Sequence, residues 1–213
     1  HKIREKYDVD PLSVKLDLTQ PKSVNNLVSK ITKKYSNIDV LINNAAYQGT
    51  PKIRTAGFEN LTLETWNEAI SVNLTGIFLL SQRIGEIMKN QKFGNIINIS
   101  SIYGIVGADQ RIYGKSGQNS AVFYAATKGA VLNLTRYLAS FWNRTGIRVN
   151  TFSPGGVENK QDKNFVKNYS KKTMIGRMAR NDEYVGALIF LASDASSYMT
   201  GSNLIIDGGW TAW

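Results

Sequence analysis

The sequence contains no cysteine and only one histidine, at position 1. Without cysteine the chain can form no disulfide, no thiolate metal site and no cysteine nucleophile. A single histidine argues against a catalytic triad or a metal centre built from imidazoles. We therefore expect no metal site, and any acid–base chemistry must use other side chains.

Long apolar runs are lacking as well. No stretch reaches the roughly 18 apolar residues that a membrane span needs, and residues 1–6 lack the apolar stretch of a signal peptide. These absences predict a soluble, cytoplasmic protein with no membrane partner. Of the 213 residues, 42% are hydrophobic and 20% charged, so we expect residues 1–213 to form a single globular domain.

Acidic residues are fewer than basic ones, and the formal net charge is +10. Such an excess is compatible with nucleic acid, an acidic membrane or an anionic substrate, because net charge steers association without defining a site. The lysines are spread along the chain rather than gathered in one basic run. A solvated, lysine-rich surface is therefore the favoured interpretation, and nucleic-acid binding is not expected.

Short apolar or β-branched runs alternate with longer segments at helical spacing, which is typical of a parallel sheet covered by helices on both faces. The sequence thus predicts an α/β fold with a doubly wound, Rossmann-like parallel sheet. Thr19 and Pro21 look like a helix cap and a first-turn proline, and residues 181–183 look like the start of another helix. The predicted strands are Val14–Leu18, Val40–Asn43, Asn95–Ser100, Arg148–Phe152 and Leu204–Ile206.

A glycine-rich turn between the first strand and first helix ordinarily opens a doubly wound nucleotide-binding sheet. No such turn precedes Val14, and the first residue is not methionine. We therefore expect that the first strand-helix-strand unit, with its glycine-rich segment, is missing from this chain.

Tyr124 and Lys128 are four residues apart at the start of a helical segment, so they share a helix face. A phenol with a pKa near 10 is a poor base at neutral pH unless a nearby cation stabilises its phenolate. Lys128 can supply that charge. A tyrosine and a lysine at this spacing are also common on helix surfaces, so the pair needs supporting context.

That context is a set of short motifs in a fixed order along the chain. Together they resemble the short-chain dehydrogenase/reductase family over essentially the whole length. The motifs are Leu16-Asp17-Leu18-Thr19, Asn43-Asn44-Ala45-Ala46, Ser71-Val72-Asn73-Leu74-Thr75-Gly76, Ile97-Asn98-Ile99-Ser100-Ser101, Tyr124-Ala125-Ala126-Thr127-Lys128, Arg148-Val149-Asn150 before Pro154-Gly155, Gly176-Arg177-Met178, and Thr200-Gly201 before Asp207-Gly208-Gly209.

The resemblance implies a reversible carbonyl/alcohol oxidoreductase that uses NAD or NADP. Ser101 would bond the reacting oxygen, and Tyr124 would exchange its proton. Lys128 would lower the pKa of Tyr124 and bind the nicotinamide ribose, while Asn73 would hold a water that relays protons to solvent. Ser100, the neighbouring alternative to Ser101, would instead close the strand.

The resemblance also implies a cofactor-binding set, some members of which have structural alternatives. Asp17 could merely cap the following helix, and Pro154 with Gly155 could be an ordinary strand-end turn. Asn43 could serve only to join loops, which makes Asn44 and Ala45 the better candidates. The implied cofactor-binding residues are Asp17, Leu18, Asn44, Ala45, Tyr124, Lys128, Pro154, Gly155 and Val157.

Three departures from the family pattern bear on function. Ala46 replaces a usual glycine, which a backbone with ordinary dihedrals would tolerate, and Asn159 replaces a usual threonine, so we assign it no role. Ser101 and Tyr124 are 23 residues apart, farther than is common, because residues 108–120 form an extra polar loop that should overhang the substrate. A tolerated surface insertion is the alternative.

A second variable segment, Glu158 to Arg180, matches the family's substrate-covering lid. Its cations suggest an anionic substrate, although helical spacing of several lysines also fits a solvated face. These cations are Lys160, Lys163, Lys167, Lys171, Lys172, Arg177 and Arg180.

The long loop further resembles oxidoreductases of flagellin or surface-polysaccharide modification, which implies a sugar or sugar phosphate substrate. A 3-oxoacyl-carrier-protein reductase and a polyol or gluconate dehydrogenase are alternatives, and a catalytically silent nucleotide-binding regulator is a different class. The family also implies a homotetramer built on two long helices, here Thr75–Met88 and Phe123–Trp142. Its interface would cover Phe78, Leu79, Leu134, Phe141 and Trp142.

Overall fold

The structure is a computed structural model that describes residues 2–213, so His1 lies outside the described residues. Its centre is a sheet of four parallel strands in the order β1-β2-β3-β4. The strands are β1 (Val40–Asn43), β2 (Gly94–Ile99), β3 (Ile147–Pro154) and β4 (Asn203–Ile206). The predicted α/β parallel sheet is confirmed, with strand ends that differ by at most two residues from those expected.

The predicted strand at Val14–Leu18 is wrong for this chain. The segment is irregular and belongs to no ladder, whereas β1 pairs on one side only, with β2. A strand needs a neighbour to satisfy its backbone groups, and the structure pairs none with this segment. The apolar side chains of Val14, Leu16 and Leu18 are therefore not sufficient to make this segment a strand.

Eight α-helices connect and cover the strands within residues 2–213. A π-helical turn at Ser71–Thr75 joins two of them, α4 and α5, into one continuous rod. The helices are α1 (Lys2–Tyr7), α2 (Pro21–Lys34), α3 (Pro51–Thr55), α4 (Leu63–Ile70), α5 (Gly76–Gln91), α6 (Val122–Phe141), α7 (Lys163–Ser170) and α8 (Val185–Ala192).

Two predicted helix starts need correction. The N-cap of α2 is Gln20 rather than Thr19, and its side chain makes no cap hydrogen bond, although Pro21 opens the helix as expected. Residues 181–184 form a turn, and α8 begins only at Val185.

The core lies on both faces of the sheet because successive side chains of a strand point to opposite sides. Ile96 of β2 packs with Met88 and Trp142 under α5 and α6, whereas the next residue, Ile97, packs with Leu191 of α8. No helix within residues 2–213 has both the length and the apolar character needed to cross a bilayer.

Trp142 does not lie on the surface where the predicted subunit interface would need it. Its side chain is 6% exposed, and a Cβ placed on Gly85 would come within 2.2 Å of its ring. The absence of a side chain at Gly85 lets the ring enter the core between α5 and α6. Phe78 and Phe141 do remain exposed on these helices.

Candidate active site

The two serines after β2 have different environments. The backbone N–H of Ser100 donates to the carbonyl of Phe152 at 2.8 Å, and its hydroxyl donates to the carbonyl of Lys128 at 2.7 Å. Ser100 thus closes the strand, as expected. Ser101 caps the following 3₁₀ turn, where its Oγ accepts from the N–H of Tyr103 at 3.2 Å. The Ser101 hydroxyl lies within hydrogen-bonding reach of the Tyr124 phenol.

Helix α6 carries Tyr124 and Lys128 one turn apart, which confirms that they share a helix face. Lys128 is only 3% exposed, and its Nζ lies 5.6 Å from the centre of the Tyr124 ring. The ammonium donates to the carbonyl of Ile99 at 2.6 Å, at the end of β2. Ser101, Tyr124 and Lys128 therefore meet at the carboxyl end of the sheet, where open α/β sheets bind ligands.

Gly104 holds the Ser101 turn against α6. A Cβ at this position would lie 2.6 Å from the backbone oxygen of Lys128 and 2.7 Å from the Ser100 hydroxyl. Only glycine permits this close approach of two backbones. The distance between the serine and the helix that carries Tyr124 is thus fixed by backbone packing.

Burial dominates the electrostatics of the site. It lowers the pKa of Lys128 to about 8, because the charged ammonium is removed from water. Burial also raises the pKa of Tyr124, and the hydrogen bond with Ser101 acts in the opposite direction. The loss of hydration is therefore the larger influence on Tyr124, and the lowering of its pKa by Lys128 stays a prediction.

Asn73 lies in the π-helical turn and is 1% exposed. Its Oδ1 accepts from the N–H of Tyr47 at 2.6 Å, and its Nδ2 donates to the carbonyl of Tyr47 at 2.9 Å and to Thr127 Oγ1 at 3.2 Å. The amide thus joins the loop after β1 to α6. No role was predicted for Thr127, which lies one residue before Lys128. Its position between the motif residues Tyr124 and Lys128 was the feature of the sequence that could have indicated this contact.

Several predicted cofactor residues also lie at the carboxyl edge of the sheet. Asn44 and Ala45 are exposed directly after β1. Pro154 ends β3, and the N–H of Gly155 donates to the carbonyl of Ile206 at 2.9 Å. Val157 forms an isolated bridge with Ala179 at the edge of the lid segment.

Asp17 and Leu18 lie before α2. The Asp17 carboxylate accepts hydrogen bonds from the N–H and hydroxyl of Thr19, which lower its pKa. Leu18 is buried against Gly76 at the start of α5. Asp17 therefore forms a local turn with Thr19 and does not cap α2, whose N-cap is Gln20.

A nicotinamide ribose fits the chemistry of Lys128. An ammonium has three donors, and within residues 2–213 this one has a single acceptor, the carbonyl of Ile99. A buried cation with donors to spare suits a ligand that brings hydroxyl oxygens. Ala46, which replaces the family's usual glycine, is also compatible with cofactor binding. Its φ is not in the left-handed region, as expected, so the backbone does not require glycine there.

The extra loop and the lid contact each other. Asp109 accepts from Lys172 Nζ at 2.7 Å, and Asn168 Nδ2 donates to the carbonyl of Ile112 at 3.3 Å. The rings of Tyr113 and Phe165 lie 5.3 Å apart. The loop and α7 thus form one joined cover.

Comparisons with known proteins agree with this architecture. A family model described as enoyl-(acyl carrier protein) reductase matches residues 1–211. The chain is 32% identical to post-translational flagellin modification protein A of Campylobacter coli, covering 98% of this chain and 81% of that protein. It is 35% identical to the 3-oxoacyl-[acyl-carrier-protein] reductase of Thermotoga maritima, covering 94% of this chain and 76% of that protein.

Solved structures show the same fold. A short-chain dehydrogenase of Leptospira borgpetersenii with bound NAD+ has a TM-score of 0.85 at 40% identity, covering 95% of this chain and 78% of that one. A gluconate 5-dehydrogenase of Burkholderia cenocepacia in complex with NADP and tartrate has a TM-score of 0.82 at 32% identity, covering 93% and 74%. The chain therefore belongs to the short-chain dehydrogenase/reductase family of NAD(P)-dependent oxidoreductases.

Proposed function

We propose that the protein interconverts a carbonyl and a secondary alcohol with NAD or NADP, using Ser101, Tyr124 and Lys128. The observation that carries the proposal is the meeting of two hydroxyl groups and one buried ammonium at the carboxyl end of β2. Two hydroxyls can hold one substrate oxygen, and the more acidic phenol can exchange its proton.

In the direction of reduction, the nicotinamide supplies the hydride to the carbonyl carbon when bound. The Ser101 hydroxyl donates to the carbonyl oxygen and fixes its position. The Tyr124 phenol donates its proton to the same oxygen as the alcohol forms, and the reverse transfer serves oxidation. The 3₁₀ turn and α6 keep the two hydroxyls on one side of the substrate.

Lys128 acts on Tyr124 and on the cofactor ribose. While it is protonated, its charge opposes the effect of burial on the phenol and helps the phenolate to form. Asn73 is a positioning residue, because its amide is occupied by Tyr47 and Thr127. We propose that Asn73 also holds the water that relays protons, since its Oδ1 accepts one hydrogen bond and has a second lone pair.

For the cofactor we propose contacts with Asn44, Ala45, Pro154, Gly155 and Val157, which lie at or beyond the ends of β1 and β3. Asp17 and Leu18 remain proposed contacts on the adenine side. The related structures contain NAD+ in one case and NADP in the other, so both cofactors belong in any assay.

The proposed substrate is a polyhydroxylated small molecule, such as a sugar, a sugar acid or a sugar phosphate. Relatives named for such substrates support this choice, among them a sorbose reductase, a gluconate 5-dehydrogenase and a D-threitol dehydrogenase. The flagellin modification protein supports a role in flagellin or polysaccharide modification. A 3-oxoacyl-carrier-protein reductase remains the second candidate because of the Thermotoga relative.

The test is a panel of ketoses, keto acids, sugar phosphates and a 3-oxoacyl thioester with NADH and NADPH. Tyr124→Phe should lower turnover by about 100-fold or more, since it removes the proton donor. Tyr137→Phe, on an exposed part of the same helix, is the matched control and should leave turnover unchanged. Full turnover by the Tyr124 variant would exclude this mechanism.

We further propose that the protein works in the cytoplasm as a homotetramer. The exposed aromatic side chains of Phe78 on α5 and Phe141 on α6 support pairing of these helices between subunits. Sedimentation equilibrium at micromolar concentration checks the assembly, and a monomer there would contradict it.

A further inference from the structure

Arg54 lies on α3, beside the extra loop and close to the catalytic helix. The N–H of Asn119, near the end of the loop, donates to the carbonyl of Arg54 at 2.7 Å, and Asn119 Nδ2 donates to the carbonyl of Ala56 at 2.7 Å. The neighbouring side chain, Ile53, packs in the same apolar cluster as Tyr124. The backbone at Arg54 is thereby fixed beside the apolar cluster that contains Tyr124.

The guanidinium of Arg54 has no partner of its own within residues 2–213. Its Nε is buried without a hydrogen-bond acceptor, and no carboxylate forms an ion pair with it. Buried donors are almost always satisfied, because an unpaired one loses its hydration without compensation. An unpaired arginine beside this cluster is a feature that a bound acceptor would explain.

Tyr113 of the extra loop connects Arg54 with the catalytic tyrosine. Burial raises the pKa of Tyr113, the phenol of Tyr103 and the charge of Arg54 act to lower it, and Tyr124 acts to raise it. These effects on Tyr113 agree with the backbone contacts that join the loop to α3 near Asn119. The loop and α3 are thus attached to each other next to the apolar cluster that contains Tyr124.

The lid cations have other environments. Arg177 and Arg180 pair with Glu183, and Lys172 pairs with Asp109. Lys163 and Lys167 of α7 are exposed to solvent. The positive charge that first suggested an anionic substrate is thus largely paired or solvated, whereas Arg54 has a partly buried guanidinium without a partner among the described residues.

We propose that Arg54 binds an anionic group, a carboxylate or a phosphate, on the substrate whose carbonyl is held by Ser101 and Tyr124. The planar guanidinium can donate two parallel hydrogen bonds to either group, which gives both affinity and orientation. This inference rests on the proposed function and specifies its substrate as a sugar acid or a sugar phosphate.

The experiment measures binding by calorimetry and turnover with NADH and NADPH for two matched pairs of compounds. 5-Ketogluconate and L-sorbose differ only in a carboxylate against a hydroxymethyl group, and fructose 6-phosphate and fructose differ only in the phosphate. The variants are Arg54→Gln and Arg54→Lys. Lys52→Gln, an exposed cation on the same helix, is the matched control.

The expected result is that Arg54→Gln weakens binding of at least one anionic compound by about 10- to 100-fold, the range for a lost hydrogen bond to a charged group. Binding of the matching neutral compound should be unchanged in Arg54→Gln. The Lys52→Gln control should bind all four compounds as wild type does. Arg54→Lys keeps the charge but loses the paired donors, so an intermediate loss is expected, which covers the case of a glutamine variant that fails to fold. The pair that responds distinguishes carboxylate from phosphate.

Wild-type binding that does not favour either anionic compound over its neutral partner would overturn the inference, and so would equal binding by wild type and Arg54→Gln. Turnover separates this result from the proposed function. Anion binding that depends on Arg54, without any reduction, would support the subsite and exclude the oxidoreductase mechanism. Reduction at the same rate by wild type and the Arg54 variants would support the oxidoreductase mechanism and exclude the anion subsite.

Discussion

Replacing Lys128 by methionine is expected to stabilise the folded protein at neutral pH while abolishing its activity. The ammonium is 3% exposed and donates a single hydrogen bond, to the carbonyl of Ile99. Burial lowers its pKa from the ordinary 10.5 to about 8, so the folded state binds its proton less tightly than the unfolded state does. At pH 7 the charged side chain therefore lowers the free energy of unfolding.

The size of this cost follows from the difference in pKa. A drop from 10.5 to about 8 corresponds to about 3 kcal/mol at pH 7, where the lysine is protonated in both states. The cost persists below pH 8 and declines as pH rises from 8 to 10.5, because the folded lysine loses its proton first. By pH 9.5 about 2 kcal/mol of it has disappeared. Methionine also loses the bond to Ile99, which offsets about 1 kcal/mol.

Urea unfolding at pH 7 and pH 9.5 measures the effect. The free energy of unfolding of Lys128→Met should exceed that of wild type by about 2 kcal/mol at pH 7, and this difference should vanish by pH 9.5. Lys115→Met, at an exposed position of the extra loop, controls for general charge and should show no such pH dependence. A difference between Lys128→Met and wild type that is the same at both pH values would refute the reasoning.

Two further predictions concern the frame of the site. Gly104→Ala should lower the free energy of unfolding by about 1–3 kcal/mol and reduce kcat at least tenfold, because the new Cβ would press on the Lys128 backbone at 2.6 Å; Gly186→Ala, with open space around it, should change neither, and an unaffected Gly104 variant would contradict the packing argument. Asp109→Asn should change global stability by under about 1 kcal/mol but speed amide exchange in the extra loop, since it weakens the ion pairs with Lys172 and Arg111; unchanged exchange would show that these pairs do not hold the loop.

Most of the sheet could be predicted from sequence because its strands are short runs rich in apolar and β-branched residues, and the central strands β2 and β3 are largely buried. The runs that became β1 to β4 each have a neighbour in the structure. Val14–Leu18 alternates apolar and charged residues, which also fits a strand, but it has no neighbour in the sheet, so pairing decided against a strand there. Local composition reports burial, whereas a strand also requires a partner that the local sequence does not specify.

The site was predictable where a motif sets the geometry, as one helix turn sets the separation of Tyr124 and Lys128. The direction of the Tyr124 pKa was not predictable, because it depends on how much water the folded chain removes. Arg54 was missed for a related reason. Its significance lies in having no partner, which only the surrounding residues can reveal.

The extra loop is attached at its two ends by bonds of different kinds. Near Asn119 it is held to α3 by amide hydrogen bonds, and at Asp109 it is held to Lys172 of the lid segment by charge. Lys172 is the more exposed member of this pair, so dissolved ions weaken the pair more than they weaken the amide bonds. The Asn168 hydrogen bond and the Tyr113–Phe165 contact do not depend on salt in this way, so rising ionic strength should loosen the loop at Asp109 while the rest of the cover stays joined to the lid.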